Sequence, residues 1–91
     1  MFNKHEIKKA LEKKGFKEID RTKHIRYVFY KDNVPTSVST MISKGTKPLS
    51  KNLVSQMARE VELKNHQFYD LIKCPLSKEA FIQILEEKKI F

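Results

Sequence analysis

The chain has 91 residues, 40% hydrophobic and 33% charged, with a formal net charge of +8. That length makes one domain with a modest core, burying about 60–65% of the unfolded surface, and the composition excludes an intrinsically disordered chain. No apolar run approaches the roughly 20 residues that cross a bilayer, the N-terminus lacks the apolar core of a secretory signal, and a single cysteine excludes an internal disulfide, so the expectation is a cytoplasmic protein without a membrane partner.

The first predicted element is a helix. Asn3 caps it, Glu6 takes the third helical position of a capping box, and Phe2 and Ile7 hold the positions of a hydrophobic staple. Ile7, Ala10 and Leu11 form a narrow apolar stripe, and Gly15 supplies the left-handed residue that ends the helix. "FKEIDR" then predicts a short strand. "KHIRYVFY" predicts a better one, rich in β-branched and aromatic residues. Alternation places Ile25, Tyr27 and Phe29 on one face and His24, Arg26, Val28 and Tyr30 on the other. Asp32 and Asn33 suit a turn. "TSVSTMIS" predicts a third strand with one side in water, and Met41 fits a core position. Gly45 and Pro48 punctuate a loop.

A second helix starts at Ser50, with Leu49 and Val54 as staple and Leu53, Val54, Met57, Ala58 and Val61 as apolar face. Up to residue 65 the order is α-β-β-β-α, a two-layer α+β core with both helices on one sheet face and the other face open. Residues 66–91 add further helices, with Phe68, Leu71 and Ile72 turned inward in the first. Pro75 interrupts, and Ser77 opens the last helix, which turns Phe81, Ile84 and Leu85 inward. This C-terminal extension is expected to pack on the helical side of the 1–65 core.

The charge is uneven. Residues 1–31 carry ten Lys/Arg against four acids, residues 32–65 five against three, and residues 66–91 four of each. A basic N-terminal part attracts polyanions, of which RNA and DNA are the commonest. His24 lies within it. A histidine titrates near neutral pH. RNA carries its own nucleophile, the ribose 2′-OH, so a base that removes that proton is enough to start cleavage, with no metal or other cofactor required. Lys23 and Arg26 stand close enough to stabilise charge on the phosphate. The loop "SKGTKPLSK" gathers Lys44, Lys47 and Lys51 around a glycine and a helix start, where free backbone N–H groups favour anions, although it is not a Walker sequence. His5, His24 and His66 show no metal-ligand spacing. Of the aromatic residues, Tyr30 is the one placed to stack on a base. The same features also fit a non-catalytic double-stranded RNA or DNA binder, or a protein-interaction module.

"LEKKGFKEIDRTKHIRYVF" followed by "TSVSTMISKGTKPLSKNLVSQMAREVEL" resembles the HicA-type toxins of toxin–antitoxin systems, over roughly residues 7–63. The resemblance implies a double-stranded-RNA-binding-like α-β-β-β-α fold, metal-independent cleavage of mRNA, and inhibition by a HicB-type antitoxin protein. His24 matches the family's catalytic histidine. The family commonly has Gly-Ser before it, where this chain has the bulkier Thr22 and Lys23. The RNA-binding set expected on this basis is Lys23, Arg26, Lys44, Lys47 and Lys51.

Overall fold

The computed structural model describes residues 3–20, 24–43, 49–73 and 75–90, with the side chain of Asp20 excepted. Phe2, Lys23, Lys44, Lys47 and Cys74, together with the loop expected around Gly45 and Pro48, lie outside the described residues. The elements run α1 (Lys4–Lys13), β1 (Phe16–Asp20), β2 (His24–Lys31), β3 (Val34–Ser43), α2 (Lys51–Glu60), α3 (Asn65–Lys73) and α4 (Lys78–Glu87). The three strands form one antiparallel sheet in the order β1-β2-β3. The chain is thus an α+β protein with a three-stranded antiparallel sheet and four helices. Among the described residues no helix is long and apolar enough to cross a membrane.

Three helices start as their side-chain chemistry dictates. Asn3, Ser50 and Ser77 accept the backbone N–H of Glu6, Leu53 and Ala80, at 2.7, 3.2 and 3.1 Å, each satisfying one donor that the first turn leaves unpaired. The Lys73 ammonium, 3.1 Å from Glu6, holds that carboxyl below the usual range against an opposing effect of burial, and the Asn3 backbone N–H adds to the lowering. Gly15 ends α1 at φ +103°, a conformation that strains any residue with a Cβ, and a Cβ there would also crowd Phe29 and Lys78 at 3.0 Å. The ends of α2 and α4 use the same left-handed device without glycine. Glu62 (φ 66°) and Lys89 (φ 59°) follow the caps, and Leu63 and Ile90 donate back to Ala58 and Leu85 at 2.9 and 3.0 Å, as in a Schellman motif.

Asp32 and Asn33, with φ of 53° and 64°, make the two-residue turn between β2 and β3. Positive φ at both central positions matches a type I′ hairpin. Pairing begins at once, Lys31 opposite Val34, so β3 starts two residues earlier than the sequence predicts and takes in Pro35, tolerated on an edge strand. The register shifts between Val28 and Tyr30. There the Thr36 hydroxyl donates to the Phe29 carbonyl at 2.7 Å and accepts from the Val38 N–H at 3.2 Å, occupying backbone groups at the irregularity.

Register sorts the sheet into two faces. Glu18–Tyr27–Thr40 and Ile25–Ile42 are cross-strand rows on the helical face, while Lys17–Val28–Ser39 and Ile19–Arg26–Met41 are rows on the other. One apolar cluster runs through the helical side, from Ile7 and Leu11 of α1 to Phe68, Leu71, Phe81 and Leu85 of the C-terminal helices. Phe81 stands 5.8 Å from Phe16 and 5.0 Å from Phe29, whose rings are 5.2 Å apart. Lys14 is buried at 5% exposure and its ammonium donates to the Leu76 carbonyl.

Two expected core residues are outside. Met41 is 48% exposed, because its partner across the strands is Arg26, on the open face. Leu53 is 45% exposed; the buried stripe of α2 runs through Val54, Met57, Ala58 and Val61, and a residue one position before Val54 falls about 100° round the helix. Conversely Thr40, in the strand expected to have a watery side, is buried.

Phe81→Ala removes the ring that α4 contributes to this core. It should destabilise the fold by about 3–5 kcal/mol, read from the denaturant midpoint in chemical unfolding.

Candidate nucleic-acid interface and catalytic histidine

His24 opens β2 and is exposed. It pairs across the sheet with Ser43, the last residue of β3. Two residues along β2, Arg26 occupies the same face, half-buried, with its Nη2 donating to Ser39 Oγ at 3.2 Å. Lys17 of β1 holds its ammonium 4.4 Å from the centre of the Tyr30 ring, a cation–π contact that engages one face of the aromatic expected to stack. The outward rows of the sheet therefore carry Lys17 and Arg26 among Ile19, Val28 and Met41, and no acidic residue. Such a face, cationic with apolar ground between the charges, suits a phosphate backbone.

A further cation arrives from outside the sheet. Lys4, in the first turn of α1, donates to Ser43 Oγ at 3.3 Å. Lys4 and Ser43 are 39 positions apart, and nothing in the local pattern around Lys4 marks it as a neighbour of the His24 pair. Lys51, the first residue of α2, is exposed but lines another cleft, about 470 Å³, together with Asn52, Asn65, His66 and Tyr69. Of the expected set, His24 and Arg26 are thus brought onto one face, Lys51 stands on a neighbouring surface, and Lys23, Lys44 and Lys47 fall outside the described residues. His5 and His66 are exposed on α1 and α3.

His24 also borders a cleft of about 140 Å³ between the end of β3 and α2, lined by Met41, Ser43, Leu49, Leu53, Gln56, Met57 and Glu60. Sequence reasoning missed this arrangement, since it depends on α2 lying along β3. Glu60 is held there: the buried Thr40 hydroxyl donates to its Oε1 at 2.7 Å. Glu60 also borders the adjoining cleft beside Arg26 and Ser39. The other hydroxyl in the same cross-strand row behaves alike. Tyr27 donates to Glu18 at 2.8 Å, and burial, reinforced by that carboxylate, pushes the phenol well above its ordinary range. Tyr27 is therefore a neutral donor at every physiological pH.

Comparison with protein families, with curated proteins and with solved structures found no match to this chain.

Thr40→Val removes the donor that fixes Glu60 while keeping the buried shape. Because Glu60 is half-exposed and water can replace the lost bond, the cost should be about 1 kcal/mol, measured by urea unfolding of the variant.

Proposed function

We propose that this chain is a metal-independent endoribonuclease of the HicA type, in which His24 is the general base. The observation that carries this reading is the position of His24: an exposed imidazole at the end of a sheet face that bears cations and no carboxylate in its outward rows. The α-β-β-β-α order with both core helices on one side, which we read as a double-stranded-RNA-binding-like core, supports it. The imidazole takes the proton of a ribose 2′-OH, the 2′-oxygen bonds to the adjacent phosphorus, and the bond to the 5′-oxygen breaks, that oxygen taking a proton from water. Arg26, two residues along β2 from His24, and Lys4, bonded to the Ser43 that pairs with His24, would offset the charge gathering on the phosphate. Lys51, exposed at the start of α2, would extend the contact along the backbone; Lys23, which precedes His24 in sequence, and Lys44 and Lys47, which precede Lys51, would add to it through their charge. The natural inhibitor of such a face is an acidic protein of the HicB antitoxin type, covering the cations that RNA would use.

His24→Ala should abolish RNA cleavage while fold and RNA binding persist, because the lysines and Arg26 bind and only the imidazole accepts the proton near neutral pH. Parent products should end in 2′,3′-cyclic phosphate, and cleavage should continue in EDTA. Analysis of labelled RNA fragments decides this. If His24→Ala cuts as fast as the parent, or the parent does not cut in the absence of an inhibitor, the face is a non-catalytic RNA-binding surface.

Binding itself should be electrostatic. Each phosphate neutralised on duplex RNA contributes about 0.9 to the slope of log affinity against log salt, so Arg26→Ala and Lys51→Ala should each lower the slope by up to about one unit. Titrations at several salt concentrations measure it, and binding that does not vary with salt excludes the basic-face reading.

A further inference from the structure

The cleft beside His24 has walls of two kinds. Met41, Leu49 and Met57 are apolar, with Leu53 also bordering it, and Gln56 and Glu60, one helical turn apart on α2, add an amide and a carboxylate. Its volume of about 140 Å³ is well below the roughly 300–1,000 Å³ of pockets that take whole small molecules. A single flat ring system fits that scale. Met41 and Leu53 are exposed to 48% and 45%, so the apolar ground is open to an incoming group. A base turned out of an RNA strand needs apolar surface against its faces and polar groups along one edge, and both are present within one cleft.

We propose that this cleft is a nucleobase subsite selective for an unpaired guanine, an inference that rests on the reading of the His24 face as an RNA-binding surface. Glu60 decides the base. Ionised, it only accepts hydrogen bonds, through two oxygens with about four lone-pair sites. Thr40 uses one of those sites and fixes the carboxylate. Guanine presents two adjacent donors, N1–H and the N2 amino group, matching the two oxygens of a carboxylate. Cytosine and adenine place an unprotonated ring nitrogen beside their amino group, whose lone pair would face the carboxylate. Uracil offers one N–H between two carbonyls. The Gln56 amide supplies a donor for guanine O6. With the base held here, the sugar–phosphate lies beside His24 and Arg26, so the subsite would set which nucleotide is presented to the imidazole.

The test uses the full chain with methyl-labelled methionine, titrated with GMP, AMP, CMP and UMP and followed by NMR. GMP should shift the Met41 and Met57 methyl signals and bind about five- to hundredfold more tightly than CMP, the range set by one bidentate base contact. Glu60→Gln, which can still accept from Thr40, should remove the guanine preference, since an amide matches only one of guanine's two donors and offers adenine and cytosine a donor for their ring nitrogen. Met41→Ala, at an exposed position, should weaken GMP binding severalfold without changing the fold. Equal affinities for the four nucleotides, a guanine preference that survives Glu60→Gln, or methyl signals unmoved at millimolar GMP would each overturn the proposal. Mononucleotides contain no bond to cut, so the readout is independent of catalysis. Guanine selectivity in a protein that does not cleave RNA keeps the subsite and removes the nuclease, and cleavage without selectivity removes the subsite.

Discussion

Three phenylalanine rings hold the two ends of this chain together. Phe16 and Phe29 belong to adjacent strands, and Phe81, contributed by α4, packs against both at 5.8 and 5.0 Å. Without it the paired strands would present two large rings to water on the helical side. Around the trio the chain is crowded: a Cβ on Gly15 would press on Phe29 and Lys78, and the Lys14 ammonium reaches the Leu76 carbonyl. A buried ammonium is costly unless it is hydrogen-bonded, so Lys14 ties the end of α1 to the segment that leads into α4. The C-terminal helices are in this way continuous with the core, and all of them lie on the side of the sheet away from the outward rows.

That arrangement separates the part of β2 that is locked from the part that is presented. Phe29 and His24 are five residues apart, about 17 Å along an extended strand. The aromatic trio fixes one end, while the imidazole stands at the other, opposite the last residue of β3. Between them the row Glu18–Tyr27–Thr40 crosses the helical face with two buried hydroxyls, and both are directed to carboxylates, Tyr27 to Glu18 and Thr40 to Glu60. Among the described residues no buried side-chain polar atom lacks a partner. The polar atoms of the core thus fix the position of two acids, and one of them, Glu60, borders the His24 cleft.

Much of the frame was legible in the sequence because its signals are local. Asn3, Ser50 and Ser77 cap helices that begin where their spacing says, and Asp32-Asn33 marks the hairpin. The alternation of β2 assigned Tyr27 and Phe29 to the core and His24 and Arg26 to the open side. Local pattern failed where position depends on what crosses the sheet. Met41 reads as apolar and therefore buried, yet its face is set by pairing with Arg26. Leu53 belongs to an apolar run on α2 but sits at the edge of its stripe. Glu62 and Lys89 take left-handed conformations for which sequence points to glycine. At the site, His24 and Arg26 could be found from strand alternation alone. Lys4 at Ser43 and Glu60 at the cleft could not, because one depends on where the first turn of α1 meets the end of β3 and the other on α2 lying along β3.

Glu60 raises a physical question that the RNA reading must answer. A carboxylate near a phosphate is repelled by it, and in a surface meant only to hold a polyanion it would weaken binding. Here the carboxylate accepts from a buried hydroxyl, and it shares the cleft with apolar side chains, the Gln56 amide, Ser43 and the His24 imidazole. Arg26 and Lys4, by contrast, are directed to serine hydroxyls on β3, Ser39 and Ser43. The cations sit along the sheet, and the carboxylate stands where α2 meets β3, bordering the cleft that Arg26 also lines. A ligand that carries negative charge along one side and hydrogen-bond donors on a flat ring along the other meets both without conflict, and a nucleotide in a single strand is built that way.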